Sequence, residues 1–182
     1  IRLYNDNHTC LTNKCIRCGE CLRVCPTGAI STTTYELEAL QKDKVSVALV
    51  SPVLYSQFKE VMPNDILLAL KKIGFHNAMD VSCYIEMYFY AVEEYLAENR
   101  ITGRSPWPLI SQVCPVVIRL IAYQFPNLLP HLMPIMRPLS HNAKETRERV
   151  SIEYGIKKEA VTLYHLTPCP AKIVPSMSSF SQ

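Results

Sequence analysis

Glycine is scarce in this sequence, and charge of one sign never gathers. Its 5 glycines among 182 residues could hardly build the glycine-rich loop that cradles a phosphate. Lys and Arg number 19 against 16 Asp and Glu, a formal net charge of +3. No basic stripe forms, so no nucleic-acid partner is indicated. A bilayer span needs about 20 uninterrupted apolar residues. The longest apolar stretch, Val113 to Met136, is broken by Arg119 and four prolines and reads as a buried segment, so no membrane span is expected. The opening IRLYNDNHTC lacks the apolar core of an export signal, and a cytoplasmic protein is the expectation. The first residue is Ile1 rather than Met, which suits a fragment or a processed form. No nucleophilic triad is visible.

What the sequence has is a real core and many thiols. Apolar residues make up 48% of the chain. The eight cysteines are Cys10, Cys15, Cys18, Cys21, Cys25, Cys83, Cys114 and Cys169. An even count in a small secreted chain would suggest a disulfide scaffold. Four cysteines within the eleven residues from Cys15 to Cys25 suit a metal better.

The chain divides by pattern into residues 1–43, cysteine-rich and short of hydrophobic periodicity, and residues 44–182, which alternate apolar runs with helical patterns. Val45–Val50 is a β-branched apolar run, the signature of a strand buried on both faces. Pro63-Asn64-Asp65 opens a helix over Ile66–Ile73, with Gly74 as its stop. His76–Ser82 is a weaker strand. Tyr84–Asn99 is an amphipathic helix, with Ile85, Tyr88, Val92, Tyr95 and Leu96 on one face. Leu109–Val113 is a third strand, and Pro115 begins a helix to about Gln124. Ser140 caps a helix near Asn142–Tyr154, with Glu145 and Arg149 as an i,i+4 pair. Gly155 stops it, and Ala160–Leu166 is a fourth strand. The expected fold is α/β: a four-stranded parallel sheet with flanking helices, preceded by a small ferredoxin-like iron–sulfur module.

Parallel sheets place their sites beyond the carboxyl ends of the strands. Cys83, Cys114 and Cys169 each follow an expected strand, so all three are expected on one sheet edge.

The segment Cys15-Ile-Arg-Cys18-Gly-Glu-Cys21-Leu-Arg-Val-Cys25-Pro26 reads CxxCxxCxxxCP. Such short spacings let one loop wrap the corners of a 4Fe–4S cubane with thiolates, while nearby N–H groups donate to the cluster sulfurs. Zinc sites instead separate two CxxC pairs by a longer loop. In two-cluster ferredoxins the fourth cysteine of this run serves the other cluster, and no second run is present. The fourth ligand is therefore Cys25, Cys10 or a residue lost with a truncated terminus. His131, in LLPHLMP, reads as a packed or hydrogen-bonded structural residue.

Residues from about 45 to 174 resemble the N-terminal lobe of the catalytic domain of iron-only hydrogenases. VSVALVSPVL resembles the first strand and the proline after it. Ser111-Gln112-Val113-Cys114-Pro115 resembles the first signature, T-S-C-C-P. AYQFPNLLPHL, residues 122–132, resembles the Y-P-E-L-L-P-H-L pattern that follows it. Thr167-Pro168-Cys169-Pro170-Ala171-Lys172 resembles the second signature, M-P-C-x-x-K. A ferredoxin-like module ahead of this lobe is also the family's order. The resemblance implies that Cys114 and Cys169 are two of four thiolates on the cubane of the active-site H-cluster. It implies that Lys172 hydrogen-bonds a cyanide of the diiron part, with Ser51 and Pro52 beside it. Active members carry a proton-passing cysteine where this chain has Val113, and the third signature, with two further cysteines, is not present in these residues.

The resulting expectation is an iron–sulfur electron-transfer or redox-sensing protein that does not itself evolve hydrogen. It holds one 4Fe–4S cluster on Cys15, Cys18, Cys21 and Cys25, and a candidate second on Cys114 and Cys169 with Cys83 as a replacement ligand. Its expected partner is a redox protein or a further domain or subunit. The alternatives are a piece of an active hydrogenase completed by a missing lobe, and a signalling or assembly module with a sensory cluster.

Overall fold

The computed structural model describes residues 2–3, 9–10, 15–31, 40 and 45–173. The chain gathers into two compact units. One comprises Tyr35–Thr102 and Ile135–Pro168, the other Ile1–Thr34, Gly103–Pro134 and Cys169–Gln182.

The elements, numbered in chain order, begin with two short strands, β1 (Arg2–Leu3) and β2 (Thr9–Cys10), paired antiparallel. Helix α1 (Glu20–Val24) follows. The sheet unit then contributes β3 (Val45–Val50), α2 (Pro63–Ile73), β4 (Asn77–Asp80), α3 (Ile85–Thr102), α5 (Pro138–Glu153) and β5 (Val161–Leu166). Helices α4 (Pro115–Gln124) and α6 (Pro170–Ile173) belong to the other unit.

The sheet is parallel, in the order β4-β3-β5. Its central strand β3 is buried along nearly its whole length, which is why its sequence is apolar without alternation. Successive side chains of a strand point to opposite faces, and the core divides accordingly. Val47 and Leu49 pack with Val81, Val150 of α5 and Val161 on one face. Ala48 and Val50 pack with Leu70 of α2, Phe75 and Ala78 on the other. Gly74 closes α2 at φ 130°, donating its N–H to the carbonyls of Leu70 and Lys71, as expected for a glycine stop.

Among the described residues the sheet has three strands, not the expected four. Leu109–Val113 forms a single parallel bridge, Ile110 to Leu132, and lies in the other unit. Two hydrogen bonds hold it, Ile110 N to His131 O at 2.8 Å and Met133 N to Ile110 O at 2.9 Å. Prolines at 106 and 108 remove donors on one side, and the Gln112 side-chain amide takes the next carbonyl, that of Met133. The ladder therefore cannot propagate.

The second strand is also shorter than expected. The Asp80 carboxylate accepts the Ser82 N–H at 2.7 Å and turns Val81–Tyr84 into a 3-10 turn. Helix α5 begins at Pro138, ahead of the expected Ser140 cap, because proline at the first helical position is pre-set for the turn. Arg149 reaches Met79 Sδ at 2.8 Å and forms no ion pair with Glu145 among the described residues. Among the described residues no helix is long and apolar enough to cross a membrane.

Candidate metal centre

The cysteine loop is built by two left-handed residues. Arg17 has φ 58° and Gly19 φ 81°, a region costly for all but glycine and a few polar residues. These bends turn the chain between Cys15 and Cys21. Gly19 then offers its carbonyl to Leu22 N (3.0 Å) and Arg23 N (3.3 Å), which opens α1. Glu20 in the first turn and Arg23 in the last match the helix dipole, and Arg23 Nε donates to Glu20 at 3.1 Å. Helix α1 carries Cys21 and buries none of its residues.

Cys25 ends α1 in an extended conformation, φ −71° and ψ 110°, the geometry that a following proline imposes. Its Sγ lies 3.6 Å from Thr27 Oγ1. The Thr27 hydroxyl and the backbone N–H groups of Ile30, Thr27 and Ala29 favour the thiolate and bring the Cys25 pKa down to about 7. Donors aimed at a ligating sulfur are what an iron–sulfur centre needs, so these residues fit the group. Cys15, Cys21 and Cys25 are half-buried and Cys18 is exposed. Among the described residues no three His, Cys, Asp or Glu side chains are converged on a single-ion site. A cubane keeps its ligating sulfurs farther apart than one ion does. Cys10 pairs with Arg2 across β1 and β2, and its side chain lies outside the described residues.

Cys114 and Cys169 fall in the same compact unit as this loop. Each precedes a proline that begins a helix, Pro115 of α4 and Pro170 of α6, and these two helices pack on one another. Cys114 is the N-cap of α4 with φ −91° and ψ 112°, again the extended form before proline. It is exposed, while Cys169 is half-buried. None of the seven described cysteines is in a disulfide. Lys172 stands one turn beyond Cys169, its N–H on the Cys169 carbonyl at 3.0 Å, and its side chain is half-buried. The Val113 N–H donates to Ser111 Oγ at 3.4 Å.

Cys83 and Ser51 belong to the sheet unit, so the expected three-thiol edge is divided between the two units. Cys83 sits in the turn after β4, donating its thiol to Asp80 O at 3.0 Å and accepting from Asn142 Nδ2 at 3.9 Å. Burial first, and then the Asp80 charge, push its pKa up. Buried Ser51 extends the ladder of β3 by donating its N–H to Leu166 O at 3.0 Å, and Pro52 starts the 3-10 turn that follows. His131 is structural, as expected. Its Nδ1–H donates to Pro108 O at 2.9 Å, since a carbonyl can only accept.

Two site features escaped the sequence reading. Thr27 stands two residues after Cys25, a local spacing that could have flagged it as a donor. Gly19 lies against Pro170: a β-carbon on Gly19 would fall 2.7 Å from Pro170 Cγ. No local pattern could have announced that contact.

Residues 44–177 match the family model described as iron only hydrogenase large subunit, C-terminal domain, and residues 12–31 match the 4Fe-4S binding domain. The HndD subunit of the NADP-reducing hydrogenase of Solidesulfovibrio fructosivorans is 24% identical over 175 residues, 87% of this chain and 30% of that relative. An FeFe-hydrogenase solved in a study of oxygen inactivation of its H cluster superposes with a TM-score of 0.67 at 15% identity, covering 79% of this chain and 38% of that one. A variant of the apo FeFe-hydrogenase from Chlamydomonas reinhardtii gives 0.64 at 16% identity, covering 75% of this chain and 36% of that one. The chain thus spans about a third of the length of these relatives.

Proposed function

From the premise that the chain belongs to the iron-only hydrogenase large-subunit family, we propose that it is an electron-transfer member that does not itself evolve hydrogen. Cys15, Cys18, Cys21 and Cys25 ligate one 4Fe–4S cluster. Cys114 and Cys169 take part in holding a second redox centre, and a redox protein or a further domain or subunit exchanges electrons with the chain. When bound, a 4Fe–4S cluster supplies a one-electron donor and acceptor whose potential follows the hydrogen bonds to its sulfurs. The residues around Cys25 supply such bonds, through the Thr27 hydroxyl and three backbone N–H groups.

The observation that carries this reading is the gathering of all six cysteines into one compact unit, although Cys114 and Cys169 lie far from the loop in sequence. Val113 supports the second half of the reading. Its isopropyl group stands where active relatives pass a proton, and it has no proton to give. Lys172 keeps its place one turn from Cys169 and could donate to an anionic group there.

The test is an iron count on anaerobically purified protein, with infrared spectra and a hydrogen-evolution assay. At least four irons per chain are expected, one cubane, with no carbonyl or cyanide band and no hydrogen, and about eight would report a second centre at Cys114 and Cys169. About four irons would remove the second centre, and iron-free protein would remove the reading altogether. The relative being a hydrogenase subunit of which this chain covers 30% favours one alternative, a piece of an active enzyme. Carbonyl and cyanide bands would select it.

A further inference from the structure

We infer that the outer face of α3 is a docking site for a basic amphipathic helix of a partner protein. Helix α3 belongs to the sheet unit, whereas the cysteines assigned to clusters belong to the other. Docking there goes beyond the electron-transfer reading and does not rest on it.

Helix α3 carries two apolar stripes. The inward one buries Tyr95, with Tyr88, Val92 and Leu96 half-buried beside it. The outward one is Met87, Tyr90, Ala97 and Ile101, all exposed. Met87 is 55% exposed, Tyr90 67% and Ile101 88%. With Glu94 between them, these positions step by three, four, three and four residues, the a/d spacing of a coiled-coil seam. An ideal helix drifts only about 20° per heptad from that repeat, so over two heptads the side chains stay on one stripe. Single exposed apolar residues are ordinary. Four in register leave an apolar strip facing water along about 21 Å of helix.

Charge decides the occupant. Glu86 and Glu93 flank the seam on one side, Glu98 flanks it on the other, and Glu94 lies in the seam itself. All four are exposed, and Arg100 is the one flanking cation. This acidic strip stands on a chain whose formal net charge is +3. Flanking charges of a seam select its partner. A second copy of α3, laid on the first in either direction, would set four carboxylates against four, so self-pairing is disfavoured. Nucleic-acid phosphates and anionic lipid headgroups are repelled for the same reason. The occupant that fits is a helix with apolar residues at the same spacing, a Lys or Arg opposite Glu94, and further cations along its flanks. A carboxylate covered without a cation is costly, so Glu94 sets the register as well as the partner.

The experiment uses the full chain, purified anaerobically, and two synthetic peptides of about three heptads. Both carry Leu and Ile along the seam. The basic peptide has Lys at the central seam position and at the flanks, and the acidic peptide has Glu there. Fluorescence anisotropy should show the basic peptide bound at least about tenfold more tightly than the acidic one, with affinity falling as salt rises. The bound peptide should protect Met87 and Tyr90 from hydroxyl-radical oxidation. Glu94→Lys should reverse the preference. Tyr90→Ser and Ile101→Ser, both at exposed positions, should each weaken the basic peptide about tenfold with iron content unchanged. No binding, equal binding of the two peptides, or binding that Tyr90→Ser and Ile101→Ser leave untouched would overturn the inference, the last because charge alone would then account for it. A dimer of the chain cross-linked through α3 would also overturn it and make a second copy the occupant. Protection of Met87 and Tyr90 in the monomeric chain without peptide would overturn it by placing a segment of the chain itself over the seam. Each of these leaves the electron-transfer reading standing. An iron-free chain that still binds the basic peptide would sink that reading and not this one.

Discussion

Replacing Cys18 by serine should unfold the cysteine loop and leave the sheet intact. The loop from Cys15 to Cys25 is eleven residues long, and fixing each backbone costs about 1–2 kcal/mol, so ordering it costs roughly 11–22 kcal/mol. Little in the protein offsets this. Helix α1 buries no residue, and its five residues are far below the dozen or more an isolated helix needs. The Glu20–Arg23 pair is solvent-exposed and contributes little. Metal–thiolate bonding is the term of matching size: structural zinc sites supply about 10–16 kcal/mol. Removing one thiolate should therefore cost both the metal and the order of the loop. The assay is iron per chain with hydrogen exchange of the amides of residues 15–25, beside the melting temperature of the whole. Loss of iron, fast exchange in the loop and unchanged protection in β3 are expected. Full iron content with slow loop exchange in Cys18→Ser would refute the claim that metal, rather than packing, orders this segment.

Other outcomes follow from the same geometry. Leu49→Ala, at a 1% exposed position of the central strand, should lower unfolding free energy by about 2–5 kcal/mol in a denaturant titration, with iron content unchanged. In the iron-free chain at pH 8, iodoacetamide should modify Cys25, brought down to about 7 by its donors, before Cys83, which burial and Asp80 push up. Thr27→Val should slow the Cys25 reaction. Ligation requires thiolate, so iron uptake by the wild type should fall as pH is lowered and the ligating thiols gain protons, with the Thr27 hydroxyl favouring the Cys25 thiolate against that loss. In Thr27→Val that fall should begin at higher pH, read by cluster absorbance. Asp80→Asn removes the charge beside Cys83 but not the burial, and should speed Cys83 alkylation only in part.

The sequence by itself determined the features that need only neighbours. CxxCxxCxxxCP encodes a single loop, because ligand spacing within eleven residues is a local property. Val45–Val50 declared itself a buried strand through an unbroken apolar run, and Pro115, Gly74 and Gly155 punctuated helices as their backbone preferences dictate. Helix α5 started before its expected cap because proline at its first position outweighed a serine inside it. Only the tertiary structure could decide the rest. A strand exists through its ladder partner, and Leu109–Val113, apolar enough to be one, found a single bridge. Cys83 and Cys114 looked alike in sequence, each closing an expected strand, yet fold into different units. The seat of Gly19 on Pro170 joins residues that no window on the sequence contains together, so chain folding alone could bring them into contact.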